Sequence, residues 1–413
     1  MQSILIHRFD NGLQLLAEQM DYLESVAFSL QVPGGYVYDP DDREGLANFT
    51  CEMALRGCGE RSARQFIEDL DNLGVNYNSG VASEFAGFRG AMASAMLDPA
   101  LELVADFVRR PHLPADQLED GRLVCQQEIR ALDDDVAQQM MLELRRRTFN
   151  APYGRAHHGT LESLASITLG DIRGFFEKMY RPDGAVLSVA GKFDWNHLIE
   201  RIESLLGDWS GVENFEPVVS PPTAGDLHIE YPSNQTHIGL SYAAPSYIED
   251  DYFPARAAVG VLADGMTSRF FTEVREKRGL VYSVGASYDS LRDAGAVFCY
   301  ASSTTDRAQE TLDVMRAELV RLGEGIEPDE LDRLKVQLKT GLLMEQESSR
   351  SRCATLVGDW RLLGRVRTRN EVLSLVEGLT CEAVNAWLAE NPPRDFRVVT
   401  IGKKALESPD AVS

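Results

Sequence analysis

Apolar and polar residues alternate along this chain in two different periods, and the two periods occupy separate blocks. Segments such as LQLLAEQM and VAFSLQV alternate at every second residue, which is typical of strands with one buried face. Other segments repeat apolar residues every three or four positions, which predicts amphipathic helices. Because the strands and helices mostly form separate blocks, the pattern predicts an α+β fold with largely antiparallel sheets.

The same order of predicted elements occurs twice: strands, two helices, a hairpin, long helices and a closing strand. In the first half we predict helices at about 45–56, 61–73, 97–110, 169–180 and 194–206, a long amphipathic run at 114–150, a hairpin in GVNYNSGVASEFAGFRGAMA and a closing strand in GAVLSVAG. In the second half we predict helices at about 250–262, 267–277, 305–322, 328–348, 369–376 and 380–390, a hairpin in VYSVGASYDSLRDAGAVFCYASS and a closing strand in FRVVTIG. The repetition predicts a duplicated domain.

A linker separates the two repeats. The segment GVENFEPVVSPPTAGD, residues 211–226, holds three prolines and two glycines and has no helical period. We therefore expect an N-terminal domain at 1–210 and a C-terminal domain at 227–413. Each is predicted to be a mainly antiparallel sheet flanked by helices.

The net charge limits the classes of partner that this protein can bind, and the cysteine pattern indicates its cellular compartment. The net charge is −23, from 41 basic and 64 acidic side chains, which disfavours nucleic acid and anionic membranes as partners. No apolar stretch approaches 18 residues, so no membrane span is predicted. The six cysteines contain no C-x-x-C pair, so we expect buried free thiols in a cytoplasmic protein.

The segment GLANFTCEM has the spacing of a helical zinc motif without its residues. In H-x-x-E-H, two histidines at i and i+4 bind the metal and the glutamate at i+3 acts on bound water. Those positions hold Asn48, Cys51 and Glu52. Cys51 is a poor replacement for the carboxylate base, and of the two ligand positions only Glu52 binds zinc readily. The neighbouring pair at 157–158 is interpreted as a loop end that packs on the sheet. A substitute site from Cys51, Glu52 and Glu128 mixes soft and hard ligands and is disfavoured.

The sequence around this motif resembles the M16 (pitrilysin or insulinase-like) zinc metallopeptidases, especially bacterial two-domain members similar to mitochondrial processing peptidase. The resemblance covers almost the whole chain and is carried by PGGYVYDPDDREGLANF, ALRGCGERSARQFIEDLDNLGVNYNS, LVCQQEIRALDDD and VLADGMTSRFFTEVREKRGLVYSVGASYDS. It implies two homologous domains arranged as a clam shell around a peptide. The family's two zinc histidines fall on Asn48 and Glu52, and its catalytic glutamate on Cys51. Only the third ligand, Glu128, is retained. The resemblance therefore implies a zinc-helix scaffold that binds no metal.

Two further sets of residues follow from the resemblance. The segment REKRGLVY places Arg275 and Tyr282 where the family has an arginine–tyrosine pair, and such donors can hydrogen-bond the oxyanion that develops when a peptide bond is attacked. The segment VNYNSGVASEFAGF matches the edge strand to which the family's substrates add, and this implies peptide binding at Val75, Asn76, Tyr77, Asn78 and Ser79. An ordinary edge hairpin blunted by polar residues is an equally weighted interpretation.

Three functions are compatible with these observations. The leading hypothesis is a non-catalytic subunit that supplies Arg275 and Tyr282 to a heteromeric zinc peptidase, whose zinc is carried by an H-x-x-E-H partner chain. Its partners would be that chain, in a heterodimer, and a peptide substrate; a homodimer stays open. The second is a non-enzymatic structural or peptide-binding protein, like the core subunits of respiratory complexes. The third is an autonomous metallopeptidase with atypical ligands.

Overall fold

The computed structural model describes residues 2–211 and 216–407. The chain divides into two compact units: unit 1 comprises Met1–Ala131, Arg155–Val218 and Met344–Thr368, and unit 2 comprises Leu132–Gly154, Val219–Leu343 and Arg369–Ser413. Residues 212–215 of the predicted linker lie outside the described residues. The units differ from the predicted domains 1–210 and 227–413 in two segments, because each half of the chain contributes one helix to the sheet of the other half.

Unit 1 is built on a six-stranded sheet with the order β1-β2-β6-β3-β5-β4. Its strands are β1 Ile4–Arg8, β2 Gln14–Gln19, β3 Ser25–Val32, β4 Asn76–Val81, β5 Ala86–Ala93 and β6 Val186–Gly191. All neighbours are antiparallel except β2 and β6. Strand β1 was not predicted. Among the residues that the structure describes, β4 pairs only with β5, so its other edge is free of strand pairing there.

The helices of unit 1 come from both halves of the chain. They are α1 Leu46–Ala54, α2 Ala63–Asn72, α3 Leu97–Arg109, α4 Leu118–Asp134, α6 Leu161–Ser166, α7 Leu169–Met179, α8 Trp195–Leu206 and α12 Ser349–Leu363. Helix α12 was not predicted and packs on β2, β3 and β6. Its Leu356 and Cys353 join a core cluster with Leu16 and Ala27 of the sheet. The buried hydroxyl of Ser188 donates to the carbonyl of Cys353 at 2.9 Å.

Unit 2 repeats this plan on a five-stranded sheet with the order β7-β11-β8-β10-β9. Its strands are β7 Leu227–Glu230, β8 Gln235–Ala244, β9 Val281–Ser290, β10 Gly295–Thr304 and β11 Arg397–Gly402. The parallel pair β7–β11 corresponds to β2–β6, and the edge strand β9 corresponds to β4. The prediction of two homologous α+β domains with mainly antiparallel sheets is confirmed.

The helices of unit 2 are α5 Val136–Thr148, α9 Tyr252–Ala263, α10 Ala308–Gly323, α11 Pro328–Glu345, α13 Arg369–Gly378 and α14 Cys381–Glu390. The amphipathic run predicted at 114–150 breaks at Asp135, whose carboxylate accepts from the Gln138 N–H and caps α5. Helix α5 then packs on β8 and β11. The helix predicted at 267–277 is a π-helical segment, Phe271–Glu276. Within the described residues, no single helix is long and apolar enough to cross a bilayer. Helices α13 and α14 reach that length and apolar composition only when they are taken together, as a bent pair.

Candidate functional site

Helix α1 begins at a tightly packed glycine. Gly45 has a φ of 92°, and a Cβ there would lie 2.5 Å from the carbonyl oxygen of His158. The carboxylate of Asp39 accepts hydrogen bonds from the N–H groups of Gly45 and Ala47, both at 2.8 Å, and so caps the helix. Burial raises the pKa of Asp39 to about 7, although the two N–H donors oppose the shift. The N-terminus of the degenerate motif is therefore held firmly in place.

Asn48 and Glu128 meet, as the resemblance implied, although they lie 80 residues apart. The Asn48 Nδ2 donates to Glu128 Oε2 at 2.9 Å, and it lies 3.9 Å from the Sγ of the buried Cys125. An amide thus donates directly to the carboxylate that the resemblance assigns to the third ligand position. Cys125 was not predicted at this position.

Glu52 is neutralised by an arginine that lies just beyond the C-terminal end of α1. The guanidinium of Arg56 donates to Glu52 Oε1 from Nε at 3.1 Å and from Nη2 at 2.7 Å. Both side chains are largely shielded from solvent: 24% of the Glu52 side chain and 16% of the Arg56 side chain are exposed. Arg56 was not predicted, although its i+4 spacing from Glu52 is the signal that would have found it. The cation that pairs with Glu52 in this structure is therefore the guanidinium of Arg56.

Cys51 faces the core of unit 1 and not the solvent. Its side chain is 4% exposed, and burial raises the pKa of the thiol to about 12 although the hydroxyl of Tyr180 stabilises the thiolate. A thiol with this pKa stays protonated at neutral pH, so it does not serve as a general base. The substitute site from Cys51, Glu52 and Glu128 does not fit zinc. In the part of the chain that the structure describes, no cluster of three or more His, Cys, Asp or Glu side chains is placed to hold a metal ion.

The histidines at 157 and 158 pack against each other. Their ring centroids lie 3.6 Å apart. Burial lowers the pKa of His157 to about 4, with a smaller contribution from His158, while the carboxylate of Glu128 opposes the shift. Burial also lowers the pKa of His158. Both rings are therefore neutral at pH 7, which agrees with a packing role at the N-terminus of α1.

Arg275 and Tyr282 form a stacked pair in unit 2. The guanidinium of Arg275 lies 4.9 Å from the ring centroid of Tyr282 and 4.8 Å from that of Phe271. Arg275 belongs to the π-helical segment, a geometry that is frequent at functional sites. Tyr282 lies on the edge strand β9 and is 84% exposed.

The ion pairs near Arg275 involve other basic residues. The nearby carboxylate of Glu273 is paired with Lys277 and Arg278, each at 2.7 Å. Their hydrogen bonds hold the pKa of Glu273 below its usual value. Within 2–211 and 216–407, no acidic side chain forms an ion pair with Arg275, so its N–H donors remain available.

The predicted peptide-binding residues lie at the free edge of the unit 1 sheet. Asn76, Tyr77, Asn78 and Ser79 are part of β4, where exposed and half-buried residues alternate. The ring of Tyr77 stacks on Phe88 of β5, with centroids 5.9 Å apart. Val75 precedes the strand and is only 5% exposed, so it belongs to the core. Four of the five predicted residues are therefore placed where an added strand would contact them.

The chain is similar to peptidases over most of its length. A family model described as insulinase (peptidase family M16) matches residues 15–160, and one described as the peptidase M16 inactive domain matches residues 166–338. An uncharacterized zinc protease of Rickettsia felis is 25% identical over 381 residues, which cover 92% of each chain.

Two solved structures share the fold. A peptidase M16 inactive domain from Pseudomonas fluorescens has a TM-score of 0.87 at 22% identity and covers 98% of this chain and 99% of that chain. A protease from Helicobacter pylori has a TM-score of 0.90 at 18% identity and covers 97% and 100%.

Proposed function

The chain belongs to the M16 peptidase family, and we propose that it acts as a non-zinc-binding subunit of a heteromeric zinc peptidase. In this proposal it contributes Arg275 and Tyr282 to peptide cleavage or processing, while an H-x-x-E-H partner chain carries the metal. The observation that carries the proposal is the chemistry at the motif positions: Asn48 bonds Glu128, and Arg56 neutralises Glu52. Each polar group that would face a metal already has a protein partner.

The stacked pair in unit 2 supports the catalytic part of the proposal. A peptide carbonyl under nucleophilic attack gains negative charge, and preorganised N–H and O–H donors stabilise that charge. Arg275 keeps five N–H donors without an acidic partner, and Tyr282 presents its phenol at an exposed strand edge. Stacking on two rings orients the guanidinium without neutralising it.

Reconstitution with an H-x-x-E-H chain of similar size, co-purified from the native source, tests this role. We expect the complex to cleave peptides, and we expect Arg275→Ala and Tyr282→Phe each to lower kcat about a hundredfold or more, the usual cost of removing an oxyanion donor. Arg278→Ala is the matched control, because Arg278 lies three residues from Arg275 but is paired with Glu273. Unchanged activity in both test variants would exclude a role for the pair.

Metal analysis tests the other part of the proposal. We expect the purified chain to hold far less than one zinc per molecule, and Glu128→Gln to leave that content unchanged. One zinc per chain that is lost in Glu128→Gln would instead establish an autonomous metallopeptidase with atypical ligands.

A second candidate function is a non-enzymatic structural or peptide-holding subunit. The free edge of β4 favours it, because an edge strand can bind an extended peptide through main-chain hydrogen bonds without any catalytic group. This function predicts a stable complex that binds peptides and cleaves none. The cytoplasmic location and the heterodimer likewise remain proposals, which fractionation and co-purification test.

A further inference from the structure

A cavity of about 410 Å³ lies beside the free edge of unit 1, between strands β3, β5 and β4 and the start of α12. Its walls include Asn76 and Asn78 of β4, Arg89 of β5, and Arg350 and Cys353 of α12. All of these residues belong to unit 1. The helix that was absent from the sequence prediction therefore builds one wall of the cavity.

The register of the sheet turns a polar face toward this cavity. Asn78 pairs directly with Arg89, so their side chains lie on the same face, and Asn76 follows on that face two residues away. Tyr77 alternates to the opposite face of β4 and stacks on Phe88, and it also borders the cavity. The polar and apolar sides of β4 are thus separated, and the polar side faces α12.

Two arginines at this cavity have no acidic partner. Within the described ranges 2–211 and 216–407, no carboxylate forms an ion pair with Arg89 or Arg350, although the chain carries 64 acidic side chains. Arg350 makes one long hydrogen bond, from Nη2 to the carbonyl oxygen of Asn76 at 3.4 Å. Arg352, two residues along the same helix, is in contrast paired with Glu18 and Glu345 at 2.7 and 2.9 Å. Arg350 therefore differs from its neighbour on α12 in having no carboxylate to neutralise it.

We propose that Arg89 and Arg350 bind a carboxylate of an extended peptide that adds to β4. The guanidinium fork matches a carboxylate and forms short, charge-assisted hydrogen bonds with it. The contact of Arg350 with the strand backbone holds its guanidinium beside the edge that would receive the peptide. The carboxylate is either an Asp or Glu side chain or the peptide C-terminus. The inference rests on the peptide-binding role proposed above and adds to it a preference for peptides that carry a carboxylate.

Fluorescence anisotropy with the full-length chain tests the preference. The probes are labelled extended peptides of one sequence that carry either Glu or Gln at a central position and end in either a free carboxylate or an amide. We expect the peptide with the recognised carboxylate to bind about three- to tenfold more tightly than its neutral counterpart, as partly exposed charge-assisted pairs allow. Comparison of the Glu and Gln peptides tests recognition of a side-chain carboxylate. Comparison of the free-acid and amide peptides tests recognition of the C-terminal carboxylate.

Arg89→Gln and Arg350→Gln should each remove that preference, and higher salt should weaken it. Arg64→Gln is the matched control, because it removes the same charge from a highly exposed position on α2 that does not line the cavity. Hydrogen–deuterium exchange of Asn76–Val81 reports whether the peptide adds to β4. Protection of β4 with equal affinity for all probes would overturn the carboxylate site and leave the peptide-binding role intact. No binding of any probe would overturn both.

Discussion

The salt bridge that fixes α12 to the first sheet offers a sharp test of the fold. Arg352 is 5% exposed and donates to Glu18 from Nε at 3.0 Å and from Nη2 at 2.7 Å, and to Glu345 from Nη1 at 2.9 Å. Glu18 is also 5% exposed. Arg352→Met keeps an apolar stem but leaves the buried carboxylate of Glu18 without its cation. Loss of one partner from a buried pair costs about 3–5 kcal/mol, and we expect the free energy of unfolding to fall by that amount.

Urea unfolding at pH 7, followed by tryptophan fluorescence, measures this change, since Trp360 of α12 packs against the affected core. Arg350→Met is the control on the same helix, and because its side chain is exposed we expect a change within about 0.5 kcal/mol. In the double variant Glu18→Gln with Arg352→Met, neither position carries a charge, so no unpaired charge is buried there. It should therefore be more stable than Arg352→Met alone. Equal losses in Arg352→Met and Arg350→Met, or a double variant less stable than Arg352→Met, would refute the reasoning.

Three further predictions concern α1 and the buried titratable groups. Gly45→Ala should lower the free energy of unfolding by about 1–3 kcal/mol, because its φ is 92° and the added Cβ meets a backbone oxygen, whereas Gly174→Ala in α7 has open space and should stabilise by about 0.5–1 kcal/mol. Iodoacetamide at pH 8 should label Cys381 in the native chain, and the five buried cysteines only after unfolding, as mass spectrometry would show. The pKa of His157 falls from 6.5 unfolded to about 4 folded, so its contribution to stability is complete above pH 6.5 and is lost as the pH falls toward 4. The difference in unfolding free energy between wild type and His157→Asn should therefore decrease by about 3 kcal/mol over that range. Asp39 has the opposite pH dependence, but it is present in both proteins and cancels in the difference. A difference that stays constant with pH would contradict the prediction.

Local patterns account for the parts of the site that the sequence located. Asn48, Cys51 and Glu52 occupy one predicted helix, and the structure places that helix at Leu46–Ala54. The i+4 spacing would also have paired Glu52 with Arg56. The direction of Cys51 into the core follows from neighbours on other elements, such as Tyr180, which no local window contains.

The sequence by itself determined the duplicated order of strands and helices, because periods of two and of three to four residues are local properties of the chain. It also determined that the zinc motif lacks its histidines. Only the tertiary structure decided which sheet receives α5 and α12. Helix α12 buries Arg352 and Asp359 beside apolar residues, so its local pattern has no clean apolar face and gave no prediction. Asp359 accepts a hydrogen bond from the N–H of Arg367. The charge of Arg352 is satisfied by Glu18, more than three hundred residues away along the chain. That long-range pairing places Arg350 beside β4 and so creates the basic cavity at the free edge of the first sheet.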